Sequence, residues 1–241
     1  MAGRRVQPAA EPQGRRTSAN LAVTARARNI GLALAFIVAT GCGAGRPATQ
    51  RHERDYEAAD RYVQDKLQAA RDGKPDPAFE TFLAVQTQMR MQAGDYRTAL
   101  HTAKPLSEYE EIVHGPRALE TAAALEMLAE VHCNLKQCAE GIPLLERAAV
   151  IYRQRGREAT VAYIRTLNSL GAAWTLEKRP DRAQPVLKQS LALSEQRFGD
   201  ESEQVGVVCW LLVGAYDAEG KTVEASAART RAERLLPSNG R

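Results

Sequence analysis

Apolar and small residues recur along this chain in four stretches, each starting 42 residues after the previous one. When the stretches are aligned, four columns carry most of the pattern. These columns are Gln86, Leu128, Leu170 and Leu212; Thr87, Ala129, Gly171 and Val213; Ala99, Gly141, Ala183 and Ala225; and Leu106, Ala148, Ser190 and Ala232. Small residues at a fixed interval indicate helices that pack closely against their neighbours, repeat after repeat.

Within one repeat the apolar spacing is helical. Leu167, Leu170, Ala173 and Trp174 lie at i, i+3, i+6 and i+7, which places them on one face of an amphipathic helix. Pro180 suits the first turn of the next helix, where its missing N–H costs little. We therefore predict an all-α fold, an α-α superhelix of antiparallel helix pairs. About four repeats occupy residues 79–241, and residues 53–78 form an N-terminal helix or a degenerate half repeat.

The basic charge of the chain is concentrated near its start. Residues 1–41 contain six of the 33 lysines and arginines and one of the 29 acidic residues. The remainder therefore has 27 basic and 28 acidic residues, which is close to neutral. A nucleic-acid-binding surface needs a clustered basic excess, so we predict no nucleic-acid partner.

Residues 1–41 are predicted to be a signal peptide or leader. Residues 30–38 are strongly apolar, are preceded by Arg26 and Arg28, and are too short for a membrane span but long enough for a secretory signal. The small residues that end at Cys42 resemble the lipobox of bacterial lipoproteins. That resemblance implies lipidation of Cys42, cleavage before it and a membrane-anchored place in a bacterial cell envelope, with residues 42–52 as a flexible tether. The alternatives are an uncleaved anchor, or an ordinary signal peptide cut near Ala48.

The repeats resemble the tetratricopeptide repeat family. The segment 94–100, with the sequence Gly-Asp-Tyr-Arg-Thr-Ala-Leu, is similar to that family's turn between helices and its small packing residue. Leu170, Gly171 and Trp174 match its helix-packing positions. The segments 141–149 and 183–191 are alike and resemble the longer, 42-residue repeats of kinesin light chains.

The resemblance implies that the first helices of successive repeats line a concave groove that binds a peptide or protein partner. Carried over column by column, the expected groove residues are Gln88, Met91, Glu126, Glu130, Arg165, Asn168, Trp210 and Asp217. We expect Arg165, Asn168 and Trp210 to contribute most, because tryptophan and arginine are enriched at binding hot spots. The alternative for Trp210 is packing against a neighbouring helix.

The cysteines offer a second line of chemistry. Cys133 and Cys138 flank a predicted turn and could form a disulfide in an oxidising compartment, or remain two reduced packing cysteines. An enzyme, or a metal or redox sensor, would be centred on this turn with His132. Zinc sites usually bring paired ligands from two places in the sequence, and only one such pair exists here, so we predict no metal.

Catalytic motifs such as G-x-S-x-G, the phosphate-binding G-x-x-x-x-G-K-[ST] and H-E-x-x-H do not occur. We therefore predict no enzymatic activity and no cofactor. The favoured function is a non-catalytic scaffold for protein–protein interaction, held at a bacterial envelope membrane by lipid on Cys42.

Overall fold

The computed structural model describes residues 48–236, with side chains described for residues 58–157 and 159–236. The predicted leader, Cys42 and residues 42–47 of the predicted tether lie outside the described residues. The chain divides into two compact units, residues 1–64 and 65–241. The described part of the first unit lies within helix α1 (Ala48–Arg71), so residues 48–52 are helical. No glycine or proline occurs in this helix.

Eight further helices follow in the second unit. They are α2 (Pro77–Gln92), α3 (Tyr96–His114), α4 (Leu119–Asn134), α5 (Cys138–Arg155), α6 (Thr160–Leu176), α7 (Pro180–Phe198), α8 (Glu203–Glu219) and α9 (Thr222–Leu235), with a 3₁₀ turn at Gly156–Ala159. Residues 48–236 contain no strand. The prediction of an all-α fold of antiparallel helix pairs is confirmed. None of the helices in this range combines the length and apolar character that a bilayer span requires.

A repeated turn reverses the chain inside each pair. The second helices α3, α5, α7 and α9 begin at Tyr96, Cys138, Pro180 and Thr222, a constant step of 42 residues. Two residues before each start, one residue adopts a left-handed conformation with φ between 59° and 75°: Gly94, Lys136, Lys178 and Gly220. The next backbone N–H then donates to a carbonyl five residues back, as from Arg179 to Trp174 at 2.9 Å. This is the Schellman arrangement, which satisfies carbonyls at a helix end.

The small-residue columns lie in the core of the second unit. Every member of the columns that begin with Thr87, Ala99 and Leu106 is buried, and in the column that begins with Gln86 only Gln86 itself is half-buried. Apolar clusters therefore run from one helix pair into the next. One of them joins Leu125 on α4, Ile151 on α5 and Leu167 on α6.

Gly171 shows how closely the helices approach. A Cβ atom added at this position would lie 2.4 Å from both Cγ and Cδ2 of Leu187 on α7. Leu187 is fully buried in a cluster with Ala183, Leu212 and Ala215, so its side chain cannot move away without repacking the cluster. Glycine is therefore required at position 171 by contact between α6 and α7.

We predict that Gly171→Ala lowers the free energy of unfolding by about 1–3 kcal/mol, because overpacking a filled core forces neighbouring side chains out of their rotamers. Urea denaturation followed by circular dichroism measures the change. The matched control is Gly214→Ala on α8, where an added Cβ would lie 3.9 Å from Cγ2 of Thr175. That variant should be neutral or gain up to about 1 kcal/mol from the better helix propensity of alanine. Equal effects at the two positions would contradict the close contact.

Candidate functional site

Helices α2, α4 and α6 line two adjoining depressions on one side of the second unit. The first has a volume of about 450 Å³ and is lined by Gln88, Met91, Gln92, Ala123, Glu126, Met127, Glu130 and Arg165. The second, of about 370 Å³, is lined by Glu126, Ala129, Glu130, Cys133, Leu145, Arg165, Ser169, Ala172, Ala173 and Leu176. Because Glu126, Glu130 and Arg165 line both, we treat the two depressions as one surface and call it the α2–α4–α6 groove.

Glu126 is the centre of a polar network at the floor of this groove. Its Oε2 accepts hydrogen bonds from the Arg165 guanidinium at 2.6 Å and from the Tyr152 hydroxyl at 3.0 Å. Its Oε1 accepts a hydrogen bond from the Thr166 hydroxyl at 2.6 Å. Three helices, α4, α5 and α6, are therefore joined through a single carboxylate. Hydrogen bonds to a charged group are stronger than neutral ones.

The network also shifts the ionisation of its members. Burial raises the pKa of the Tyr152 hydroxyl, and the negative charge of Glu126 raises it further. The hydrogen bond to Glu126 raises the pKa of Arg165. Tyr152 therefore remains a neutral hydrogen-bond donor and Arg165 remains a cation. The side chain of Arg165 is 64% exposed, so part of the guanidinium still faces the solvent in the groove.

Glu130 lies one helical turn beyond Glu126 on α4 and lines both depressions. Burial, followed by the nearby charge of Glu126, raises the pKa of its carboxyl group, while Arg165 opposes the shift. Among the described residues the carboxylate of Glu130 forms no hydrogen bond or ion pair. It is therefore an acceptor in the groove that a ligand could use.

The structure brings five of the eight predicted groove residues together: Gln88, Met91, Glu126, Glu130 and Arg165. Met91 also packs in the core beneath the groove and is 9% exposed. Asn168, Trp210 and Asp217 line neither depression.

Two of those three residues have partners within the fold. Asn168 Oδ1 accepts a hydrogen bond of 2.6 Å from the hydroxyl of Ser190 on α7. Asp217 on α8 forms an ion pair of 2.9 Å with Arg229 on α9. Trp210 is 49% exposed, and on α8 it occupies the column that Glu126 occupies on α4. Its indole is therefore accessible on the face of α8 that corresponds to the groove.

The turn between α4 and α5 brings the sulfur atoms of Cys133 and Cys138 together as a disulfide, with the two Cα atoms 4.1 Å apart. In this state neither sulfur is a thiolate, the form that binds metals or acts as a nucleophile. His132 Nδ1 lies 3.3 Å from Oε1 of Gln137 across the same turn. Cys209 is a free, buried cysteine on α8, and burial raises the pKa of its thiol.

Comparison with known proteins places the repeats in context. Residues 120–196 match the family model described as tetratricopeptide repeat. Kinesin light chain-related protein 1 of Arabidopsis thaliana is 30% identical over 103 residues, which are 42% of this chain and 17% of that protein. Kinesin light chain-related protein 3 of the same plant is 28% identical over 153 residues, which are 59% of this chain and 23% of that protein. The chain thus spans less than a quarter of either relative.

Solved structures show the same fold at lower identity. The chain is 18% identical to a Podosopora anserina protein that is described as a kinesin light chain with nearly identical TPR-like repeats. The TM-score is 0.57, and the match covers 79% of this chain and 97% of that one. It is 17% identical to BtubC (BKLC) from P. vanneervenii, with a TM-score of 0.61, covering 90% of this chain and 88% of that one. The described residues therefore have the fold of a solenoid of TPR-like repeats, and residues 120–196 match the tetratricopeptide repeat model. Such repeats generally bind protein partners, and the fold is generally a non-catalytic scaffold.

Sequence reasoning did not find the partners of Glu126. Tyr152 and Thr166 are separated from it by 26 and 40 residues, and their roles depend on which side chains meet between neighbouring helix pairs. The column alignment does place Glu126 and Arg165 on the same side of successive first helices. The opposite charges of Glu126 and Arg165 were the one sequence feature that could have indicated their ion pair.

We predict that Glu126→Ala lowers the free energy of unfolding by about 2 kcal/mol, because each hydrogen bond to a charged group contributes about 1.5–3 kcal/mol. Chemical denaturation measures this change. The control is Glu130→Ala on the same helix, which should stay within about 0.5 kcal/mol of the parent protein because its carboxylate has no partner to lose. A comparable loss in both variants would contradict the structural role assigned to Glu126.

Proposed function

We propose that this protein is a non-catalytic interaction scaffold, lipid-anchored through Cys42 to a bacterial envelope membrane, whose α2–α4–α6 groove binds a peptide segment of a partner protein. The observation that carries this proposal is the continuous groove itself, with one unpaired carboxylate at Glu130 and a half-exposed cation at Arg165. Tetratricopeptide repeats generally bind protein partners, which supports a peptide or protein ligand.

The lining of the groove suggests what kind of segment would bind. Glu130 offers an acceptor to a basic side chain or a backbone N–H, whereas the negative charge of Glu126 beside it is already paired with Arg165. Exposed apolar side chains lie further along the same row of first helices, with Leu176 at 63% and Trp210 at 49% exposure. A segment that pairs a basic residue with a large apolar residue would match these features. Large side chains that fill a pocket usually dominate such interfaces.

Arg165 and Asn168 differ from Glu130 and Trp210 because their side chains already bind other residues of the fold. Arg165 already holds Glu126, and Asn168 already holds Ser190. Changing either residue would therefore disturb the packing between helices as well as binding. Trp210 and Glu130 are the better probes, because their accessible groups have fewer internal contacts to lose.

The lipid anchor rests on the sequence around Cys42. An apolar segment after two arginines, followed by small residues and a cysteine, is the pattern expected of a lipoprotein leader. The extracytoplasmic location that this implies is compatible with the Cys133–Cys138 disulfide, since disulfides persist in oxidising compartments. A membrane-held groove would concentrate the partner at the envelope surface.

The groove is tested by photocrosslinking in the native cell. A photoreactive amino acid at Ala172, which lines the groove, should give a discrete adduct whose partner is identified by mass spectrometry. The same amino acid at Val150, which is 42% exposed on the second helix α5, serves as the control and should not give that adduct. A partner captured only from Val150, or equally from both positions, would exclude the groove as the binding site.

With the partner segment in hand, we predict that Trp210→Ala weakens its binding at least tenfold. The segment is expected to extend from the groove onto α8 and cover the exposed indole, and a hot-spot tryptophan is worth about 2 kcal/mol or more. Isothermal titration calorimetry with a synthetic peptide measures the dissociation constant. The matched control is Val150→Ala, another exposed apolar residue truncated outside the groove, which should bind normally. Unchanged affinity in Trp210→Ala would remove Trp210 from the site.

The anchor has its own test. We predict that metabolic labelling with palmitate marks the parent protein and is lost in Cys42→Ala, together with membrane association after cell fractionation. Cys209→Ala is the control, since that cysteine is buried and should not be the labelled one. Label retained in Cys42→Ala would rule out lipidation at this residue.

A further inference from the structure

Three potential metal ligands meet where α2 begins and α3 ends. Glu80 lies in the first turn of α2, and Glu110 and His114 lie one helical turn apart near the end of α3. One carboxylate oxygen from each glutamate and one imidazole nitrogen lie within 4.8 Å of one another. None of these three residues lines the α2–α4–α6 groove, and they take no part in the function proposed above.

The distances within the cluster lie in the range of ion pairs and also match the spacing of ligands around a small metal ion. His114 Nε2 lies 3.4 Å from Oε2 of Glu110 and 3.6 Å from Oε2 of Glu80. Ligands held about 2.1 Å from a tetrahedral zinc ion are about 3.4 Å apart from each other. The imidazole therefore lies at this ligand-to-ligand spacing from each carboxylate, and all three ligand atoms fall within 4.8 Å of one another.

Glu110 is the buried member of the cluster, and its ion-pair partner there is the imidazole of His114. Glu110 is 7% exposed, and among the described residues its Oε2 has no hydrogen-bond partner. The equivalent residue in the next repeat is Tyr152, which donates to Glu126, but the residue equivalent to Glu126 in the first repeat is Ala84. Glu110 thus has no matching partner on α2. A buried carboxylate in this position costs free energy unless a cation or a proton neutralises it.

The surroundings strengthen this requirement. Glu80 and Glu120 place further negative charge near Glu110, and only His114 opposes it. Phe79 and Tyr109, which precede Glu80 and Glu110 in the sequence, pack edge to face with ring centroids 5.4 Å apart and join α2 to α3.

We propose that Glu80, Glu110 and His114 form a zinc site that joins the start of α2 to the end of α3. Imidazole favours zinc and other first-row transition metals over Mg²⁺ and Ca²⁺, which prefer an all-oxygen set of ligands. Zinc accepts histidine and carboxylate ligands together, and a water molecule would complete the fourth position. The ion would neutralise Glu110 and hold the open end of the first helix pair together.

Zinc titration of the full-length protein tests the site. The purified chain is stripped with EDTA, dialysed and titrated with Zn²⁺ alone by isothermal titration calorimetry. We expect one ion per chain. We also expect a rise in Tm of about 5–10 °C at free zinc near 100 times the dissociation constant, because the ion binds only the folded state.

Two ligand variants and one control define which residues bind. His114→Ala and Glu80→Gln should each weaken zinc binding more than about 100-fold, since losing even an outer-sphere partner costs about 10- to 100-fold. Glu80→Gln keeps the shape of the side chain and tests the site if His114→Ala does not fold. His132→Ala, next to Cys133, should bind zinc as tightly as the parent protein. Co²⁺ in place of zinc should give a visible absorption band that His114→Ala abolishes.

The outcomes separate the site from its alternatives. One ion per chain that is lost in Glu80→Gln and kept in His132→Ala supports the proposal. Absence of zinc binding at millimolar concentration overturns it, as does full affinity in both ligand variants. Loss of binding only in His132→Ala would overturn it in favour of the turn between α4 and α5.

Discussion

The close approach of paired helices at small residues is the constraint on which the rest of the structure depends. At Gly171 a single additional carbon atom would collide with Leu187, and at Gly141 it would lie 2.9 Å from the backbone oxygen of Ala129. Because the second helices begin at a constant step of 42 residues, the same approach is repeated along the array. Each pair buries its face only against its neighbours, as in other solenoids.

This packing sets the chemistry of the exposed side. The buried columns fix the rotation of α2, α4 and α6 about their axes. The residues that lie beside the buried face of each helix therefore point into a common groove. Glu126 then links three helices through charged hydrogen bonds, which keeps the floor of the groove rigid. A partner that binds there meets a preformed surface, and preorganisation lowers the entropic cost of association. Glu130 remains available in that groove, and Trp210 is accessible outside it, on the corresponding face of α8.

The fold could be predicted from the sequence because its driving pattern is local and periodic. Ala99, Ala183 and Ala225 fall in one column of the 42-residue alignment. This regular position indicates which single face of each second helix is buried. Side-chain partners across repeats could not be predicted in this way. Lys136 and Lys178 adopt a left-handed conformation that lysine rarely favours, and only their register with Gly94 and Gly220 hints at it. Glu80 meets Glu110 and His114 only through the packing of α2 on α3, whereas the spacing of Glu110 and His114 alone is common on helices.

Contact between small and large residues in successive helices holds the array together, and a double-mutant cycle between Gly171 and Leu187 tests this contact most directly. Unfolding free energies are measured for the parent protein, Gly171→Ala, Leu187→Ala and the double variant. Because Leu187→Ala removes the atoms that would collide, we expect the alanine at 171 to be tolerated there, with a coupling energy of about 1 kcal/mol or more. Additive effects, within about 0.3–0.5 kcal/mol, would contradict the contact on which this account rests.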